Sequence, residues 1–62
     1  MKNNVKKFRQ AKGLRQADLA KEIGSTDRTI SRIETGKGDC SLELAIRIAR
    51  SLGKHVEEVF EV

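Results

Sequence analysis

Asp27, Arg28, Thr29, Ser31 and Arg32 stand close together in one short run, and every one carries a hydrogen-bonding side chain. Two guanidinium groups offer rigid forks of N–H donors. The hydroxyls donate or accept, and the carboxylate accepts. Ile30 and Ile33, interleaved at helical spacing, give the run one face to bury and leave the polar groups on the other. Such a face is suited to meeting a polar or anionic partner. It is not suited to covalent chemistry. With one histidine, one cysteine and 62 residues, the chain lacks a nucleophile–base constellation and the length to enclose a pocket. The expectation is therefore no enzyme and no cofactor. No metal is expected either, because Cys40 and His55 supply too few ligands for a tetrahedral site. Redox sensing by Cys40 would need a resolving cysteine, which the chain does not have.

Positioning that face requires elements on both sides. Gln16 to Glu34 reads as two short helices joined at Gly24, the first carrying Leu19, Ala20 and Ile23 and the second Ile30 and Ile33. Glycine enters the left-handed conformation without a Cβ penalty, so Gly24 can end one helix and turn the chain. Ser25 or Thr26 then caps the next helix. Upstream, residues 2–12 suit a first helix with Asn3 or Asn4 as cap, Val5 and Phe8 on one face, and Gly13 as its end. Arg9 lies beside that inner face, a costly place for an unpaired charge. Leu14 is expected to re-enter the core. Downstream, Thr35 to Asp39 forms a glycine-rich loop and Ser41 a cap. A helix from Leu42 to about Leu52 follows, with 42, 45, 46, 49 and 52 as its stripe and 44 and 48 pointing elsewhere. Gly53 ends it, and a last helix covers about Val56 to Phe60, its first-turn Glu57 and Glu58 complementing the helix dipole. Val56, Val59, Phe60 and Val62 are too many apolar groups for an exposed turn. This end packs on the core, on another subunit, or on both. The fold class is all-α, a single domain over 1–62 with about five short helices.

Composition narrows the partner. A chain this short buries only about 60% of the surface its unfolded form exposes, so a partner subunit would help. Its net charge is +4, but the charge is unevenly spread. Residues 1–37 carry ten Lys and Arg against four acids, and residues 38–62 carry three against five. A polyanion facing the first half is the sharper reading of that polarity, against an ordinary solvated surface. No apolar run approaches the roughly 20 residues that span a membrane, and no signal-peptide pattern opens the chain. A cytoplasmic protein is expected.

These residues resemble the phage repressor and Cro-type helix-turn-helix family, also called the Xre family, from Val5 to about Phe60. The motifs that carry the resemblance are G-L-x-Q-x-x-L-A at 13–20, Ile23-Gly24, T-I-S-x-I-E-x-G-K at 29–37, S-L-x-L-A at 41–45 and I-A-x-x-L-G at 48–53. It implies a compact five-helix, lambda-repressor-like DNA-binding domain. Residues 16–23 would brace across the DNA backbone and about 27–34 would enter the major groove, in a homodimer reading a two-fold related operator. Gln16 would hold a phosphate at the start of helix 2 through its side chain and backbone N–H. Ala20 would be small because the two helices cross closely. Asp27, Arg28, Ser31 and Arg32 match positions that face base edges or flanking phosphates, and either arginine has the fork that pairs with guanine O6 and N7. Thr35, Lys37 and Gly38 match a loop that grips the backbone through amide N–H groups. Arg9 and Glu34 would form a structural ion pair between helices 1 and 3.

The chain also departs from the family pattern. Arg15 replaces the usual hydroxyl or amide cap of helix 2 and adds a phosphate-reaching cation. Ser25 stands where an apolar residue is common, Cys40 where proline is frequent, and His55 where a capping hydroxyl is common. Asp27 either reads a cytosine amino group or stabilises the start of helix 3. Lys2, Lys6, Lys7 and Lys12 read first as a solvated helix face. The expected function is a sequence-specific transcriptional regulator of double-stranded DNA, a repressor associated with the nucleoid. Its dimer would be formed by Val56, Val59, Phe60 and Val62 with Leu44 or Ile48, with Gln16 and Thr26 setting the helices against the backbone. No small-molecule ligand is implied. The rival reading is a protein-interaction module, an antitoxin or transcriptional co-factor, that keeps the fold.

Overall fold

Five helices follow one another in a computed structural model that describes residues 2–38 and 40–61. They are α1 (Val5–Ala11), α2 (Gln16–Ile23), α3 (Asp27–Glu34), α4 (Leu42–Leu52) and α5 (Val56–Val59). Local signals set most of the boundaries. Gly24 and Gly53 take φ of 70° and 69° at the ends of α2 and α4, where a side chain would be strained. Thr26 Oγ1 accepts the amide of Thr29 and Ser41 Oγ accepts that of Leu44, so hydroxyls cap α3 and α4. Of the two residues that could have capped α3, Thr26 does so. Ser25 is half-buried and donates its amide to the Ala20 carbonyl.

The core is formed by Val5, Leu19, Ala20, Ile23, Ile30, Ile33, Ala45, Ile48, Ala49, Leu52, Val59 and Phe60, with Phe8, Cys40, Leu44 and Val56 against its margin. Every helix contributes. Ala20 of α2 is buried, 3% exposed. Leu14 is half-buried at the edge, not in the core; its carbonyl serves as an acceptor for Arg9. The stripe of α4 also differs from the expected one. Ala45, Ile48, Ala49 and Leu52 are buried, an i, i+3, i+4, i+7 set, while Ile46 is half-buried and Leu42 is 74% exposed. Ile48, considered above for a subunit interface, is fully enclosed by its own chain.

The two ends of the chain depart most from expectation. α1 begins at Val5, because residues 2–4 run alongside the C-terminal segment. Asn4 N donates to the Val59 carbonyl at 2.7 Å, Glu61 N to that of Lys2 at 3.1 Å, and Asn3 forms an isolated antiparallel bridge with Phe60. Asn4 therefore makes no side-chain cap; its amide reaches the Glu58 carbonyl. Asn3 does the capping work, its Oδ1 accepting from Val5 N. Phe60 leaves the last helix for an extended conformation, with φ −116° and ψ 120°. Val59 is 0% and Phe60 5% exposed, so both are committed to the chain's own core, and Val62 lies outside the described residues. Among the described residues no helix is long and apolar enough to cross a membrane.

Candidate nucleic-acid interface

The amphipathic pattern of α3 decides what it presents. Ile30 and Ile33 are buried against α2, which leaves Asp27, Arg28 and Arg32 exposed and Thr29 and Ser31 half-exposed. Both guanidiniums are free of carboxylates: among the described residues the ion pairs are Arg9–Glu34, Arg15–Asp18 and Arg47–Glu43. Unneutralised arginines one helical turn apart on an exposed face form a short cationic ridge. Asp27 sits in the first turn of the same helix, beside the amides that a carboxylate stabilises.

The ridge is held in place by a charged cluster beneath it. Glu34, the last residue of α3, has a side chain only 3% exposed. Arg9 donates to it from Nε at 2.6 Å and from Nη2 at 3.2 Å, and reaches the Leu14 carbonyl with Nη1 at 2.7 Å. Gln16 Nε2 adds a bond to Glu34 Oε1 at 3.0 Å. Each buried charge therefore has several partners, the condition under which such a pair is tolerated. The cluster ties α1, α2 and α3 together. It also restrains the Gln16 side chain that was expected to face a phosphate: one N–H is committed to Glu34, and the other, with the amide oxygen, remains available.

At the start of α2, Arg15 provides no side-chain cap, as expected, but Asp18 reaches back to it. Asp18 Oδ2 accepts the Arg15 backbone N–H at 2.9 Å, one half of a capping box, and also holds the guanidinium at 3.1 Å. These bonds keep the Asp18 carboxyl below its ordinary range, and the same partner raises Arg15. No side chain caps the first amides of α2 itself, so the positive end of that helix is open to an anion. His55 follows the same plan in α5, its backbone N–H donating to Glu58 Oε2 at 3.1 Å.

The loop after α3 corrects a further expectation. The amides of Thr35, Gly36 and Lys37 donate to the carbonyls of Ser31, Ile33 and Arg32, closing the helix end, and Thr35 Oγ1 donates to Ser31 and Arg32 carbonyls. Thr35 and Lys37 thus have no amide N–H to give a phosphate. What remains exposed is the ammonium of Lys37, and the amide of Gly38 has no partner among the described residues.

Two residues to which the sequence reading gave no part in the site also position it. Arg47 of α4 donates from Nη1 to the Ile23 carbonyl at 3.3 Å while Nη2 holds Glu43 at 2.7 Å, so α4 clamps the last carbonyl of α2 beside the Gly24 turn. The i, i+4 spacing of Glu43 and Arg47 was the available signal. Asn3 Nδ2 donates to the Ile33 carbonyl at 2.8 Å, tying the N-terminal segment to the end of α3, and nothing local in the sequence indicates that. Of the lysines on and beside α1, Lys12 donates to the Ser51 carbonyl at 3.0 Å and Lys7 lies 5.9 Å from the Phe8 ring centre, while Lys2 and Lys6 are exposed. Cys40 is half-buried, and burial pushes its thiol up, away from the reactive thiolate.

Known proteins are similar to this chain over nearly its whole length. A helix-turn-helix family model matches residues 5–59. An uncharacterized HTH-type transcriptional regulator of Methanocaldococcus jannaschii is 47% identical over 60 residues, covering 97% of this chain and 91% of that one. One from Methanothermobacter thermautotrophicus is 43% identical over 61 residues, covering 97% and 88%. The regulator YgzD of Bacillus subtilis is 38% identical over 60 residues, covering 97% and 91%. With the match running through all five helices and the exposed basic face on α3, the chain belongs to the Xre family of helix-turn-helix transcriptional regulators.

Proposed function

We propose that this chain is a sequence-specific repressor that binds a two-fold operator in double-stranded DNA as a homodimer, with α3 in the major groove. The observation that carries the reading is the exposed pair Arg28 and Arg32 on α3, neither in an ion pair among the described residues, next to the open N-terminus of α2. In this docking α3 supplies base contacts. The α2 amides with Gln16, and the Lys37–Gly38 loop, supply phosphate contacts on either side. Arg15, although held by Asp18, is 83% exposed in its side chain and can turn to a phosphate. Thr26 and Asp27, at the start of α3, stand where the helix would meet the groove.

Size supports the two-fold arrangement. The chain measures 25 × 21 × 18 Å, less than the roughly 34 Å of one DNA turn. One copy therefore reads one groove segment, and a longer site needs two. Repression in the cytoplasm follows from occupancy of such a site near a promoter. Regulation would then come through concentration, a second protein, or competition at the operator.

Selection of bound duplexes from a random pool, followed by a salt titration of the winner, tests this reading. A palindromic product is expected, with log K falling by about 0.9 per phosphate neutralised for each unit of log salt. A flat salt dependence, or no bound duplex, would sink it. The double variant R28A/R32A separates the rival class: a protein-interaction module would keep its protein partner and show no DNA phenotype to lose.

A further inference from the structure

Residues 2–4 lie between the C-terminal segment and the end of α3. On one side Asn4 N donates to the Val59 carbonyl at 2.7 Å, Glu61 N to the Lys2 carbonyl at 3.1 Å, and Asn4 Nδ2 to the Glu58 carbonyl at 3.1 Å. On the other, Asn3 Nδ2 donates to the Ile33 carbonyl at 2.8 Å. That carbonyl also accepts the Gly36 amide at 3.0 Å, so Asn3 reaches the atom on which the turn after α3 closes. A recess lined by Lys2, Asn3, Glu34, Thr35 and Gly36 runs between the segment and that turn. The same side chain starts α1, its Oδ1 accepting from Val5 N at 3.2 Å, while its backbone bridges Phe60. One asparagine therefore meets the start of α1, the end of α3 and the C-terminal segment. The pairing that holds it is short and lies at the chain ends, where local opening is easiest. Val59 and Phe60 are buried in the core, so opening frees residues 2–4 and leaves the C-terminal segment anchored.

We propose that residues 2–4 form a strap through which the C-terminal segment sets the end of α3, with Asn3 as its positioning residue. With the ends paired, the bridge to Phe60 holds Asn3 Nδ2 within reach of Ile33. With the ends open, Asn3 leaves and the turn after α3 loses that donor. The Arg9–Glu34 pair stays in place either way, so the strap tunes the placement of α3 and does not decide the fold. The consequence for DNA rests on the reading above, in which α3 supplies base contacts and the loop after it phosphate contacts. An open strap leaves that surface chemically complete but loosely placed, and the need to order it weakens binding. Coupling of this kind is reciprocal: a duplex that favours the ordered end of α3 also favours paired chain ends. The C-terminal segment thereby becomes a point of control over α3.

The experiment compares wild type, Asn3→Ser, Glu61→Pro and the double variant by amide hydrogen exchange and by affinity for the duplex selected from a random pool. Serine keeps an oxygen for the Val5 amide but is too short to reach Ile33. Proline removes the N–H that Lys2 accepts, and Phe60 before it is already extended, as proline requires of its predecessor. Both single variants are expected to speed exchange at Gly36 while the α2 amides keep their rates. Both should also weaken duplex binding by about 2- to 10-fold, the size of one hydrogen bond's contribution, with the selected sequence unchanged. Glu61→Pro should add nothing to Asn3→Ser at Gly36, because it acts through Asn3. The Glu61 amide exchanges by local opening at the chain end, so added duplex slows it in wild type only through the strap, and in Asn3→Ser the slowing should disappear. Unchanged exchange at Gly36 in Glu61→Pro, additive effects in the double variant, or an acceleration shared equally by α2 overturns the strap. Full duplex affinity in Asn3→Ser overturns its role in positioning α3 for DNA. A wild-type chain that binds no duplex overturns the DNA reading alone, since the exchange measurements at Gly36 need no DNA.

Discussion

Gln16 Nε2 donates to Glu34 Oε1 at 3.0 Å, which joins the first residue of α2 to the last residue of α3. The two residues are the near corners of the helix-turn-helix unit, and one hydrogen bond spans them. Because the acceptor is a buried carboxylate, the bond is of the charge-assisted kind. Gln16→Ala is expected to lower stability by about 1–2 kcal/mol, within the range for such bonds, since Arg9 still satisfies Glu34. Gln16→Glu should cost more, because it sets a second carboxylate against the first. Urea denaturation of the three proteins checks the order; a Gln16→Glu variant as stable as wild type would mean that the contact is not made in solution.

Arg9 and Glu34 respond differently from a surface pair. Their side chains are 8% and 3% exposed, so removing one leaves a buried charge without its partner. Arg9→Met alone and Glu34→Leu alone should each cost about 3–5 kcal/mol. The double variant should recover part of that loss and not all, because the Leu14 carbonyl and the Gln16 amide also lose partners. A double-mutant cycle by denaturant unfolding measures the recovery.

How much of this was legible follows from the range of each interaction. Gly24, Gly53, Thr26 and Ser41 act on residues three or four away, so the boundaries of α2, α3 and α4 could be read directly. The chain ends could not. Asn3 pairs with Phe60, and no periodicity within residues 2–12 shows that the first three described residues will run alongside the C-terminal segment. The loop expectation failed for another reason. Whether the amides of Thr35 and Lys37 are free depends on how tightly the turn closes on α3, and here it closes completely. The polar face of α3 was legible by residue type, whereas the approach of Arg32 to Gly38 depends on where the following loop comes to rest.

Gly24 offers a clean test of backbone conformation. Its φ is +70°, and an added Cβ would meet only Arg47 Nη1, at an ordinary 3.8 Å. Gly24→Ala therefore costs the left-handed penalty of about 1–2 kcal/mol with no steric addition. For a domain of this size that lowers Tm by roughly 4–16 °C. Gly38→Ala, outside the left-handed region and with no contact under 3.6 Å, should leave Tm within about 2 °C. Calorimetry on the two variants makes the comparison.

Acid should act through Asp18. The Arg15 side chain, then the Arg15 backbone N–H, hold its carboxyl below the ordinary value of 3.8 in the folded chain. A depressed folded value means that the contribution is present above the unfolded pKa and is lost as pH falls through the folded one. Asp18→Asn should therefore be less stable than wild type at neutral pH, with the gap closing as pH drops below about 4. Tm measured against pH for both proteins gives the test. A gap that persists unchanged at the acid end would place the effect elsewhere.

The C-terminal apolar groups bear on self-association. Val59 and Phe60, expected to face a partner subunit, are 0% and 5% exposed within one chain. Truncating Phe60 to alanine removes buried surface and leaves a cavity, at a cost of about 3–5 kcal/mol. If that loss belongs to the single chain, it will be the same at low and high protein concentration, because only an association equilibrium brings concentration into Tm. Leu42 is the opposite case. It is 74% exposed, so Leu42→Ser should change the stability of an isolated chain by no more than about 0.5 kcal/mol. Any concentration-dependent loss in Leu42→Ser would mark the front of α4, beside half-buried Leu44, as a subunit contact. Sedimentation equilibrium and thermal unfolding at two concentrations separate the two residues. A Phe60→Ala chain that unfolds like wild type when dilute but fails to self-associate would return the interface to the C-terminal end.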